Sequence, residues 1–151
     1  AIADLWNWMI RETLATFTTE LKSVAAIEGM LKQRPDGFFI AEEAGDLSGF
    51  VTFGPFRAGP GYAKTCEHSV VVPPGGQNRG IGSDLMRRAM HAAERAGCHV
   101  MVGAISGANP KAVRFHEKLG FREVGLMPEV GRKAGQWLDL ILMQKILNDE
   151  G

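Results

Sequence analysis

The apolar positions of the chain change their period several times, and each change marks an element. From Ala1 to Phe17, the residues Ile2, Leu5, Trp6, Met9 and Ile10 recur every three or four positions, which predicts an amphipathic helix. A second short helix is expected from Lys22 to Lys32, stopped by Arg34-Pro35-Asp36-Gly37. The pattern then becomes strand-like, with Phe38 to Glu43 and Phe50 to Phe53 joined at Ala44-Gly45-Asp46 as a hairpin. Pro55 to Gly61 is rich in proline and glycine and reads as a loop. Cys66 to Val72 reads as a strand cut short by Pro73-Pro74-Gly75-Gly76.

Beyond that turn the period is helical again. Ile81, Leu85, Met86, Ala89, Ala93 and Ala96 form one stripe, with Arg87, Arg88, Glu94 and Arg95 opposite. Gly97 closes this helix, and Cys98 to Ile105 is expected as a buried strand. The next helix carries Asn109 as N-cap, Pro110 at its first position and Gly120 as its stop. Arg122 to Met127 and Trp137 to Lys145 complete the set as strands. In the last of these, Leu138, Leu140 and Leu142 oppose Trp137, Asp139, Ile141 and Met143, a two-sided apolar pattern that suits a central or interface strand. The order predicts a mixed α/β sheet, partly antiparallel, with a parallel pair made by a βαβ crossover.

Composition narrows this picture. The 151 residues are 45% hydrophobic and 23% charged, the signature of one globular domain that buries roughly 70% of its unfolded surface. Seventeen basic residues balance seventeen acidic ones, so no net field draws the protein to nucleic acid or to an anionic membrane. Apolar runs such as Val100 to Ile105 are too short to span a bilayer. Asp4 and Glu12 interrupt the first segment, which reads as a helix rather than a signal peptide. Cys66 and Cys98 have no C-x-x-C partner and are expected as buried thiols of a reducing, cytoplasmic compartment. None of the four histidines falls at a metal-ligand spacing, and no metal is expected.

The segment from Val70 to Ser83 carries the first chemical signal. A valine-rich strand ends, a glycine-rich loop follows, and a helix begins with Gly80 and Gly82 at its mouth. The free N–H groups and positive dipole of such a helix end form an anion site, to which Arg79 adds charge. A nucleotide-binding P-loop needs Gly-Lys-Ser/Thr, and here Gly80-Ile81-Gly82-Ser83 has no lysine. A dinucleotide fingerprint needs a third glycine where Leu85 stands. What remains is a pyrophosphate held by main-chain amides, as in coenzyme A, or a tight turn with no ligand.

Gln77-x-x-Gly80-x-Gly82 after a valine-rich strand resembles the acyl-CoA signature of the GNAT-type N-acetyltransferases. Asn109 followed by His116 and Leu119-Gly120-Phe121 resembles the second element of that family. Glu67-His68-Ser69-Val70, Val130-Gly131-x-Lys133 and Trp137-Leu138-Asp139-Leu140 are similar to its phosphinothricin and methionine-sulfoximine acetyltransferase branch. The resemblance implies the GNAT acyl-CoA N-acyltransferase fold, a mostly antiparallel central sheet with a splayed parallel strand pair, flanked by helices. It implies acetyl-CoA between the strands Cys66 to Val72 and Cys98 to Ile105. The pantetheine arm would pair with Val70, Val71 and Val72, and the pyrophosphate would rest on Asn78, Arg79, Gly80, Ile81, Gly82 and Ser83, with Gln77 also at the cofactor. Asn109 and Lys118 would complete the cofactor contacts. A homodimer is implied as well, as is a first strand that the sequence lacks before Ala1.

The implied reaction is direct attack of a small amine on the thioester. An ammonium has no lone pair, and an amine with a pKa near 10.4 is neutral in fewer than about one molecule per thousand at pH 7, so a base is required. The family's strand glutamate corresponds to Glu67. His116, where most of the superfamily has tyrosine, corresponds to the proton donor for the leaving thiolate. Arg57, Tyr62, Lys64, Glu67, His68 and Ser69 are the expected acceptor contacts. One departure concerns recognition: Ala63 follows Tyr62 where the branch carries an arginine that would grip a substrate carboxylate. Lys64 would point the other way in an extended segment, which leaves Arg57 as the substitute. The expected acceptor is the α-amino group of a small amino acid or analogue. The alternatives are a protein N-terminus, a polyamine, or a non-catalytic acyl-CoA-binding sensor.

Overall fold

The computed structural model describes residues 1–74 and 80–147. Two helices, α1 (Ile2–Glu12) and α2 (Val24–Gln33), precede the hairpin β1 (Phe38–Glu43) and β2 (Asp46–Pro55). A 3-10 turn at Pro60–Tyr62 leads to β3 (Thr65–Val71), followed by α3 (Ile81–Arg95), β4 (Val100–Ser106), α4 (Pro110–Lys118), β5 (Arg122–Lys133) and β6 (Gln136–Ile146). The sheet order is β1-β2-β3-β4-β6-β5, antiparallel throughout except for the β3–β4 pair. The mixed α/β sheet with one parallel crossover is therefore present, and β6 is an internal strand, as its two-sided apolar pattern required.

Most departures from the sequence pattern are extensions or retractions of ends. Helix α1 stops at Glu12 rather than at Phe17, because Thr13 is extended (φ −133°, ψ 164°) and its hydroxyl turns back to the Met9 carbonyl. Strands β2 and β5 are longer than expected, since Leu47 and Gly131 to Lys133 find partners across their hairpins. Residues 13–17 lie instead against the β5–β6 hairpin: buried Lys133 donates to the Thr13 and Thr16 carbonyls at 2.9 and 2.8 Å, and Phe17 packs on bare Gly131.

The sheet divides the core in two. On one face, Trp6, Ile10 and Ile27 of the first two helices cover Phe50 and Val71. On the other, Leu85, Met86, Ala89 and Ala93 of α3 cover Val51, Phe53, Cys66 and Met101. The stripe read from the sequence is thus the buried face of α3, except that Ala96 at its end is exposed. Cys66 is buried, Cys98 is half-buried, both are free thiols, and burial holds Cys66 protonated.

Candidate active site

The site is built around the point where the parallel pair comes apart. Strands β3 and β4 are in register only at Thr65–Val100, Cys66–Met101 and Glu67–Val102. Beyond Glu67, β3 stays on β2 through His68–Phe53, Ser69–Thr52, Val70–Val51 and Val71–Phe50, while β4 stays on β6 from Gly103 to Ser106. Past this point the inner edge of each strand has no strand partner among the described residues. Such an edge is a template for an extended ligand. Val70 is half-buried and Val71 buried in the strand, with half-buried Val72 just after it.

Alternation along β3 sends neighbouring side chains to opposite faces. Glu67 and Ser69 face the side of α1 and α2, where Ser69 and Ala104 are exposed. Glu67 is half-buried; burial pushes its carboxyl up from its ordinary value, and the Arg34 guanidinium pulls it partly back. Arg34 donates to Thr52 Oγ1 at 3.2 Å and lies across Gly54, the register partner of Glu67. Neither Arg34 nor Thr52 stood out in the sequence, because Arg34-Pro35 reads only as a helix stop.

His68 lies on the opposite face, with the rings of His116 and Phe121 around it. Its Nε2 is 2.8 Å from Nε2 of His116, and the two residues are 6% and 4% exposed. His116 Nδ1 is 2.7 Å from the Ala112 carbonyl, which can only accept, so that nitrogen carries the proton. In the neutral pair His116 Nε2 is then an acceptor, and His68 Nε2–H donates to it. This leaves His68 Nδ1 as a buried lone pair with no hydrogen bond. Burial pushes His68 down to about 3, helped by His116 and opposed by the Val102 carbonyl, and burial also lowers His116. The pair exists because β4 carries no side chain at Gly103, where a Cβ would sit 2.9 Å from His68 Cε1 and 3.4 Å from His116. His68, expected as an acceptor contact, lies on the face opposite Glu67 and Ser69, and both ring nitrogens of His116 are engaged.

The remaining expected residues are dispersed over several elements. Gln77, Asn78 and Arg79 lie outside the described residues. Gly80 has φ +80° and N-caps α3 without a side chain, which leaves the first turn at Ile81, Gly82 and Ser83 with no side-chain cap of its own. A Cβ at Gly82 would press on the Phe115 ring at 3.2 Å, so this glycine lets α3 approach α4, and its packing role adds to any role at a phosphate. Asn109 caps α4 by accepting from the Ala112 amide at 3.3 Å, and Lys118 is exposed at the end of that helix. Arg57 and Tyr62 meet each other in the exposed loop, with the guanidinium carbon 5.7 Å from the ring centroid. Lys64 is exposed, and its carbonyl receives the His99 and Val100 amides.

The described residues thus supply an open strand edge, a helix N-terminus capped by a glycine and a half-buried carboxylate. Residues 2–121 match the acetyltransferase (GNAT) family. The chain belongs to the acetyltransferase (GNAT) family. It is 43% identical over 110 residues to an L-methionine sulfoximine/L-methionine sulfone acetyltransferase of Salmonella typhimurium, a match covering 73% of this chain and 64% of that protein. It is 34% identical to the L-amino acid N-acyltransferase MnaT of Escherichia coli, covering 99% of this chain and 88% of that one. The structure of yncA from Salmonella typhimurium, solved with its cofactor acetyl-CoA, superposes with a TM-score of 0.94 at 35% identity, over 99% of this chain and 88% of that one. Family membership covers the GNAT fold with its parallel pair. Among the described residues no helix is long and apolar enough to cross a membrane.

Proposed function

We propose that this chain is an acetyl-CoA-dependent N-acetyltransferase for the α-amino group of a small amino acid or analogue, of the kind its relatives are named for: methionine sulfone, methionine sulfoximine or phosphinothricin. The observation that carries the reading is the end of β3–β4 pairing at Glu67, which sets a half-buried carboxylate at the lip of an opening between two strand edges. The residues present fit the carrier: the α3 mouth has a glycine cap, and the β3 edge from His68 to Val71 is open toward β4. Bound acetyl-CoA would supply the thioester.

Glu67 takes the proton that the acceptor ammonium must lose, directly or through water, and its raised carboxyl suits it to that task near neutral pH. The backbone of Val70, Val71 and Val72 aligns the pantetheine arm, and an amide there polarises the thioester carbonyl. The amides of Ile81, Gly82 and Ser83 hold phosphate oxygens. Asn109 and Lys118 flank the carrier from α4. The neutral His68–His116 pair offers no free N–H. His116 therefore shapes the floor of the opening, and donation to the leaving sulfur would require its Nε2 to part from His68.

A homodimer formed along β5 belongs to the same reading. This edge strand and its neighbour expose Val124, Leu126, Met127, Val130 and Trp137, the last at 61%. The two free thiols accord with a reducing cytoplasm. The test is thiol release from acetyl-CoA with a panel of amino acids, a polyamine and a peptide N-terminus. Turnover with the amino acids is expected; binding of acetyl-CoA without release for every amine would favour the sensor.

A further inference from the structure

Resting on that function, we infer that Arg34 is the residue that recognises the α-carboxylate of the acceptor amino acid, taking the place of the guanidinium the chain lacks at Ala63. Three observations place a cation there. The backbone of Arg34 is fixed on both sides, its N–H bonded to the Met30 carbonyl at 2.9 Å and its carbonyl receiving the Gly37 amide at 3.0 Å. Its guanidinium lies on bare main chain at Gly54, where a Cβ would come within 2.6 Å of Cζ and Nε, so the strand leaves a bay for this group. Gly54 is the register partner of Glu67, and the Arg34 charge acts on the Glu67 carboxyl.

The two side chains form no ion pair within 4 Å among the described residues, yet they share one face beside exposed Ser69 and Ala104. A carboxylate and a guanidinium held side by side match the ammonium and carboxylate of an α-amino acid. The ammonium goes to Glu67, which must deprotonate it, and the carboxylate goes to Arg34, whose planar fork grips carboxylates through paired N–H groups. Its Nη1 is anchored on Thr52, and no bond occupies Nε or Nη2 among the described residues. The cations of the 3-10 loop segment do not meet this arrangement: Arg57 stacks near Tyr62, and Lys64 is exposed beyond it.

The test compares L-methionine sulfone with its carboxamide as acceptors for the intact protein and for Arg34→Met and Arg34→Lys. Recognition by Arg34 predicts that Arg34→Met raises KM for the acid by about tenfold or more and for the amide less than about twofold, with Arg34→Lys between. Equal loss on acid and amide would mean that Arg34 acts through Glu67 or through the fold, and unchanged KM for the acid would mean that another group binds the carboxylate; either result overturns the assignment. If Arg34→Met does not fold, Gly54→Ala, which displaces the guanidinium, is read by the same ratio. Absence of turnover by the unmodified protein on both acceptors would instead remove the acetyltransferase reading itself.

Discussion

Glu67 and His68 are neighbours on one strand and live in opposite worlds. Glu67 faces a side of the sheet that is incompletely covered, keeps a charged neighbour in Arg34, and is half exposed. His68 faces α4, touches rings and main chain, and is sealed. The contrast teaches that one residue of strand alternation separates a carboxyl that a cation and solvent reach from an imidazole sealed among rings. A charge is sustainable where water and a counter-charge reach it; inside, the same environment favours the neutral ring.

The sharpest way to break this contrast is Glu67→Gln. Turnover should fall by about a hundredfold or more, while acetyl-CoA affinity in calorimetry stays within about twofold; parallel loss of both would remove Glu67 from the chemistry. The acid limb of kcat/KM in the unmodified protein should lie above the ordinary carboxylate range, because the base is active only when ionised and its carboxyl is raised.

The buried face should answer to pH through stability. His68 is pushed down to about 3 from 6.5, so below pH 6.5 the unfolded chain binds protons that the folded chain refuses. Stability is then complete above pH 6.5 and declines as the pH falls toward 3, by up to roughly 1.4 kcal/mol per pH unit. Urea titrations from pH 7 to 4 should show this slope, and His68→Phe should flatten it. An unchanged slope would place the titrating group elsewhere. Gly103→Ala should cost about 1–3 kcal/mol, because its methyl meets a buried imidazole that has nowhere to go. Smaller still, Gly82→Ala should lower stability and acetyl-CoA affinity together, with Phe115→Leu restoring part of both if the Phe115 contact is the cause.

Much of this was legible beforehand. The helical stripe of α3, the Asn109–Pro110 start of α4 and the two-sided pattern of β6 each follow from local chemistry, and each element is present. Glu67 could be singled out because it heads a recognisable motif. What escaped was everything set by partners distant in sequence. Arg34 looked like punctuation after a helix until Gly54 was seen beneath it. His68 was expected as an acceptor contact together with Ser69, although alternation sends the two to opposite faces, and Gly103, thirty-odd residues on, makes room for its ring beside His116. The end of α1 failed for the same reason: the hydroxyl of Thr13 and the reach of Lys133 outweigh a helical pattern that continues to Phe17.

Helix α4 touches both ends of this arrangement with consecutive residues. Phe115 rests on Gly82 at the mouth of α3, and His116 holds His68 at the splay. The mouth of α3 and the splay of β3 from β4 are thereby gauged against one short helix, which works as a ruler between them. A shift of α4 along its axis moves both contacts at once, so neither can adjust without the other.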